Sequence, residues 1–199
     1  MAMLVPPVLP TDSLRAIRQP RLSASGGLTL RPWRVGDAAT VRAAFECPEI
    51  QRWHLRRMES DGEGREWTTQ WPARWAAETD ASWAVVAERT GEPVGQVGLR
   101  EIRLDQASAE LSYWVLPAAR GRGVAVRAVR AVQAWVFEGL GLHRLDLRHS
   151  TVNRASCRVA GKLGYEVEGT LRRAWRHADG WHDVHLHARL RDDGDRPAE

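Results

Sequence analysis

From Ser82 to Val115 the chain alternates apolar and polar residues in steps of two, and directly after that run it reads Arg120-Gly121-Arg122-Gly123 and enters the helical pattern VAVRAVRAVQAWVFEGL. A period of two that gives way to 3.6 across a glycine loop places a strand in a sheet and a helix on one of its faces. SWAVVAE is a strand, Thr90-Gly91-Glu92 its turn and PVGQVGLREIR the antiparallel return; a second turn at 104–108 leads into AELSYWV at 109–115. Pro117, which has no N–H to give a ladder, ends the meander. At the start of the following helix the backbone amides point outward with partial positive charge, and Gly121, Gly123 and small Ala125 leave room for a phosphate to reach them. The loop is neither GxxxxGK[ST] nor a GxGxxG inside a βαβ unit. Taken alone, it reads equally well as punctuation between two elements.

The flanks extend this order. Leu28 to Pro32 alternates as a short strand, and Gly36-Asp37 caps a helix over Ala38 to Phe45. Residues 50–78 carry Trp53, Trp67, Trp71 and Trp75; the last three, at i, i+4 steps, describe one apolar face of an amphipathic helix and are expected to pack rather than bind. Beyond Gly141 come HRLDLRHS as a strand, a short helix capped by Asn153, and YEVEGTLRRAWR and WHDVHLHARL as two further strands. Residues 1–26, rich in Pro and Ser, read as an extended arm whose Leu4, Val5, Val8, Leu9 and Leu14 are free to pack on the domain. The expected domain is 27–191, with a polar tail over 192–199. A length of 199 residues suits one such α/β domain.

Composition narrows the partners. The chain has 29 Lys plus Arg against 25 Asp plus Glu, and Lys162 is its single lysine, so the positive charge is almost all guanidinium. Guanidinium favours phosphate and carboxylate. Acidic residues are interleaved throughout, however, and no nucleic-acid recognition motif is visible, so no nucleic-acid partner is expected. Ten tryptophans are dispersed and form no stacking ladder. Cys47 and Cys157 lie far apart and in no CxxC pair, which argues for reduced thiols rather than a disulfide framework or a cysteine-ligated zinc site. No apolar run approaches the roughly 18–20 residues of a membrane span, and no signal peptide opens the chain. A cytoplasmic protein without a membrane partner is the expectation.

Arg120-x-x-Gly123-x-Ala125 after the strand AELSYWV resembles the acetyl-CoA signature of the GNAT superfamily of N-acetyltransferases. Asn153-x-x-Ser156, Lys162-Leu163-Gly164-Tyr165 and Glu168-Gly169 are similar to the second signature of its RimJ/RimL-like branch. The resemblance covers most of residues 28–191. It implies a GNAT-like fold, a mixed and mostly antiparallel sheet splayed at an acetyl-CoA cleft between the strands at 109–115 and 143–148, with flanking helices. It also implies direct transfer of an acetyl group to a primary amine in a ternary complex, the acceptor being a protein or peptide N-terminus or a small amine. A small-molecule acetyltransferase of the aminoglycoside or antibiotic type, and a catalytically silent CoA-binding sensor, are the alternatives. Dimers are common in the family, so a homodimer is a further possibility.

Carried over residue by residue, amides of Gly121, Arg122, Gly123, Val124 and Ala125 hold the pyrophosphate, and the backbone of Tyr113, Trp114 and Val115 pairs with pantetheine. Arg120 meets a CoA phosphate, and Asn153 contacts pantetheine while capping its helix. Three residues are candidates for proton transfer. Glu110 shares a strand face with Ser112 and Trp114 and is either the base or a cross-strand ion-pair partner. His149, at the end of its strand, is either a base or a surface imidazole. Ser156 is either the donor to the departing thiolate or a backbone-satisfying serine. Where the RimL pattern places a glutamate after the EG-x-L strand, this chain reads Arg172-Arg173-Ala174-Trp175, so that branch's base does not carry over and the ribosomal acceptor with it is in question. Asp183, His185 and His187 share one face of the last strand. Spacings of about 6–7 Å between such neighbours argue against a shared ion, and no metal is expected.

Overall fold

The computed structural model describes residues 4–54 and 56–194. Eight strands form one sheet in the order β1-β2-β3-β4-β5-β6-β8-β7. The strands are β1 (Leu22–Ala24), β2 (Leu28–Pro32), β3 (Ala81–Ala87), β4 (Pro93–Arg103), β5 (Ser108–Val115), β6 (Arg144–Ser150), β7 (Glu166–His177) and β8 (Gly180–Leu190). The helices are α1 (Ala38–Glu46), α2 (Pro48–Gln51), α3 (Asp61–Thr69), α4 (Trp71–Ala76), α5 (Val124–Ala134) and α6 (Arg154–Lys162). Neighbouring strands are antiparallel except β5 and β6, which run parallel. Parallel neighbours need a long crossover, and α5, extended by a π-helical turn over Trp135–Leu140 and closed by Gly141 at φ 85°, supplies it. No helix among the described residues is long and apolar enough to cross a membrane.

The fold is the mixed α/β sheet the sequence implies, and the meander, the long helix and the last two strands fall where they are expected. Three local expectations change. The arm contributes β1, which pairs with β2, and Leu14 is completely buried; Leu4, Val5 and Val8 stay exposed. Asp37 does not cap α1. Its carboxylate instead takes both guanidinium nitrogens of buried Arg31, at 2.7 and 2.8 Å, and the Arg34 amide at 2.8 Å. Of the tail, residues 195–199 lie outside the described residues.

The tryptophan stripe is not one helix. Pro72 lacks an N–H, and its ring would strike the carbonyl four residues back in a continuous helix, so the chain breaks at Gln70 between α3 and α4. Trp67 and Trp71 meet edge to face with centroids 5.0 Å apart in a core with Trp33, Phe45 and Trp114. Past the break, Trp75 joins the other core and stacks on Trp135 at 6.0 Å. The sheet lies between the two cores, with Trp83 and Val85 in the core of α5 and Ala84 and Val86 in that of α1 to α3, and α4 contributes Trp75 to the first and Trp71 to the second. Gly64 lets α3 lie close on α1, because a Cβ there would sit 2.7 Å from the Ala38 carbonyl oxygen.

Candidate active site

β5 and β6 are paired only from Ser108–Arg144 to Leu111–Leu147. Beyond that register the strands separate, and a cleft of about 660 Å³ opens between them, bounded by the glycine loop and α6. Gly121 and Gly123 both adopt left-handed backbone, at φ 73° and 70°, a conformation that costs side-chain-bearing residues strain. That bend aims the first turn of α5 at the cleft. No side chain caps the helix, which leaves the amides of Val124 and Ala125 at the cleft wall for an anion. Arg120 lines the same wall, with its Nε donating to the Val115 carbonyl at 3.0 Å. Arg122 does not line the cleft; it is exposed, and its carbonyl accepts from Arg127 at 2.9 Å.

Residues from both faces of β5 reach the cleft where the strand parts from β6. Glu110, Tyr113, Trp114 and Val115 line it; the Trp114 ring is buried against Trp33. Glu110 ion-pairs with Arg148 across the β5–β6 seam at 2.8 Å and stands opposite Arg100 in the β4 register. Burial pushes its carboxyl above the ordinary glutamate range, against the opposing pull of Arg148. Glu110 is thus an ion-pair partner, here across the β5–β6 seam, and it lines the cleft.

Asn153 caps α6, its Oδ1 accepting from the Ser156 amide at 3.1 Å. The cap fixes Ser156, whose Oγ lies 2.8 Å from the Tyr113 hydroxyl. Burial pushes the Tyr113 phenol up to about 12, so it stays protonated at neutral pH. The sequence reading assigned Tyr113 a backbone role only; its side chain completes a hydroxyl pair that links β5 to α6. Trp53, His54, Trp175 and His177 also line the cleft. Trp53 and His54 belong to the tryptophan-rich segment 50–78 and Trp175 to the stretch that departs from the RimL pattern, while no motif marked His54 or His177.

His149, next to the last residue of β6, borders the cleft but is buried at 3% exposure. Its Nδ1 is 2.8 Å from the Ser150 carbonyl and its Nε2 3.0 Å from Nε2 of His187, so both ring nitrogens are engaged. Burial holds both imidazoles below their ordinary range. Asp183 turns away from its two strand neighbours. Its Oδ1 accepts from the Arg173 amide at 2.7 Å, where a bulge in β7 sets Arg173 at φ 45°.

Comparison with known proteins agrees with this arrangement. Residues 27–166 match the acetyltransferase (GNAT) domain family. The uncharacterized N-acetyltransferase YoaA of Bacillus subtilis is 29% identical over 146 residues, 73% of this chain and 82% of that protein. Spermidine N(1)-acetyltransferase of Escherichia coli is 35% identical over 86 residues, 43% of this chain and 46% of that protein. A RimL ribosomal L7/L12 alpha-N-protein acetyltransferase, solved in complex with coenzyme A, superimposes with a TM-score of 0.79 at 18% identity, covering 86% of this chain and 98% of that one. The glycine loop, the splayed strands and the family match lead to one conclusion: the chain belongs to the GNAT acetyltransferases, enzymes that take their acetyl group from acetyl-CoA.

Proposed function

We propose that the chain transfers the acetyl group of acetyl-CoA directly to the amine of a protein or peptide N-terminus, with Glu110 receiving the amine's proton and Ser156 protonating the departing thiolate. The observation that carries this reading is the single cleft that holds Glu110 on one strand, the Tyr113–Ser156 hydroxyl pair on its wall and the uncapped start of α5 at its edge. The amides of Gly121 to Ala125 suit the pyrophosphate, with Arg120 beside them for a phosphate. The open edge of β5 from Tyr113 to Val115 suits the amides of pantetheine, and Asn153 stands at the far wall.

An ammonium cannot attack a thioester until it loses a proton, and a buried carboxylate of raised basicity accepts one readily. The nitrogen then bonds to the acetyl carbon as the carbon–sulfur bond breaks. Of the two protons the ammonium loses, one leaves to solvent through Glu110 and the other balances the one gained by the thiolate. The thiolate takes its proton from Ser156, Tyr113 restores it, and Tyr113 regains a proton from the solvent that has received the second amine proton. His149 has no free nitrogen for the part of base, so Glu110 is the better candidate.

The charge of the cleft supports an acceptor with one ammonium. Its acids are Glu49 and Glu110, the latter already paired with Arg148, while Arg120, Arg148, Arg158 and Lys162 line the same space. A polyamine would need more carboxylate than that. Incubation with acetyl-CoA and a panel of short peptides, spermidine and aminoglycosides tests the proposal, with thiol release and acceptor mass followed together. N-terminal acetylation matched by CoA release is the expected result. Acetylated spermidine or aminoglycoside would replace the acceptor class, and tight acetyl-CoA binding without turnover of any acceptor would favour the sensor reading.

A further inference from the structure

We infer that His149, Cys157, His185 and His187 form a binding site for a first-row transition-metal ion, with Zn²⁺ the best match, built from β6, α6 and β8 behind the acetyl-CoA cleft. One ligating atom from each of the four lies within 4.8 Å of every other. Donors on a tetrahedral zinc ion, with bonds of about 2.0–2.3 Å, stand roughly 3.3–3.8 Å apart, so small side-chain rotations close the set. Three imidazoles and one thiolate are donors that zinc, cobalt and copper prefer and that magnesium and calcium do not.

The hydrogen bonds of the rings carry the argument further than proximity does. Nδ1 of His149 faces the Ser150 carbonyl and Nδ1 of His187 faces the Tyr165 carbonyl, at 2.8 and 3.3 Å. Carbonyl oxygens only accept, so with its hydrogen on Nδ1 each ring presents a lone pair at Nε2; without a cation, one ring must give up that arrangement for the two Nε2 atoms to share a proton. Those two Nε2 atoms face one another at 3.0 Å. Two lone pairs at that distance repel, and a cation bound by both removes the conflict. A carbonyl behind each ligating imidazole is also the usual way a protein fixes the ring and tautomer for a metal. His185 adds a buried Nδ1 with no hydrogen-bond partner. Its ring is 5.4 Å from that of His149 and 5.7 Å from that of His187, centroid to centroid.

The proposal departs from the expectation from strand spacing for a definite reason. That expectation counted donors along β8 alone, whereas β6 and α6 bring one donor each, and the His185 and His187 rings turn toward the same point. Asp183, the third residue of the sequence reading, is held by Arg173 and takes no part. His185 and His187 lie beyond residue 166, outside the part of the chain that matches the GNAT family.

Metal binding takes one proton off the Cys157 thiol, while the histidines coordinate as neutral rings. The test uses the full chain freed of metal with a chelator and titrated with Co²⁺ and then Zn²⁺. One equivalent of Co²⁺ is expected to give the visible bands of a tetrahedral ion and a thiolate-to-cobalt absorption, which Zn²⁺ bleaches. Cys157→Ser is expected to remove the thiolate band, and His185→Ala to weaken binding by about tenfold or more; His143→Ala, outside the cluster, leaves both unchanged. The wild-type chain gives a second readout that needs no variant. Bound Zn²⁺ is expected to shield Cys157 from alkylation while Cys47 reacts at its metal-free rate, as peptide masses report. Absence of the thiolate band in the wild-type chain, Co²⁺ binding indifferent to Cys157→Ser and His185→Ala, or equal alkylation of Cys157 with and without Zn²⁺ would each overturn the assignment.

Discussion

The Tyr113 hydroxyl and Ser156 Oγ stand 2.8 Å apart although 43 positions separate them in the chain. One comes from the last part of β5, where the strand has parted from β6 but not from β4, and the other from the first turn of α6. Their meeting ties β5 to α6 through two residues that each look ordinary in sequence.

If Ser156 protonates the thiolate and Tyr113 resupplies it, the two act as one unit. Ser156→Ala and Tyr113→Phe are each expected to lower kcat by about 10–100-fold, with little change in the KM for acetyl-CoA. The double variant is expected to lose little beyond the worse single one, because the second deletion removes a path already cut. Full multiplication of the two losses in steady-state assays would show that they act separately.

Glu110 works as a base only when ionised, and burial raises its carboxyl above the ordinary glutamate range. Turnover is therefore expected to fall as pH drops through a value higher than the usual figure of about 4.3. Glu110→Gln is expected to lower kcat by roughly 100-fold and to flatten that limb of the log kcat profile. A limb that survives in Glu110→Gln would assign the titration to another group.

The Arg31–Asp37 pair is buried at both ends, with side chains 7% and 7% exposed. Asp37→Ala leaves a buried guanidinium and the Arg34 amide without their acceptor. A loss of about 3–5 kcal/mol in urea unfolding is expected. Arg42 and Glu46, an exposed i,i+4 pair on α1, give the contrast: Glu46→Ala is expected to cost under about 0.5 kcal/mol.

Burial in the cleft wall lowers the His54 imidazole to about 4, with Arg100 and His177 adding to the effect. A histidine depressed in the folded chain protonates first in the unfolded chain, so stability is full above about 6.5 and falls as pH drops toward 4. The expected slope from this residue is about 1.4 kcal/mol per pH unit across that window. His54→Phe is expected to reduce the pH dependence of the urea midpoint between 6.5 and 4; an unchanged curve would place the His54 ring in water.

Much of the fold was legible because its signals are local. Period-two runs with a Thr-Gly-Glu turn define β3 and β4, and the Arg-Gly-Arg-Gly loop before a strongly apolar helix marks the phosphate end of the cleft. The tryptophan stripe misleads for an equally local reason: Pro72 breaks the helix between two of its members. Asp37 stands where a cap belongs, yet Arg31, six residues back, holds it more strongly than the helix end does. The Tyr113–Ser156 pair, the Glu110–Arg148 bridge and the convergence of His149 with His187 depend on how three elements meet, and no spacing along one strand encodes that.

The sheet ends at β7, a strand of twelve residues whose outer edge is free of any ninth strand among those described. A straight edge of that length is a template on which another molecule's strand can grow. Here bulges interrupt the register between Val167 and Gly169 and again between Leu171 and Trp175, and the second carries Arg172 and Arg173 with the backbone turned left-handed. The stretch that the acetyltransferase signature leaves without a glutamate thus roughens and charges this margin, the device by which an edge strand discourages pairing with a further copy of the chain.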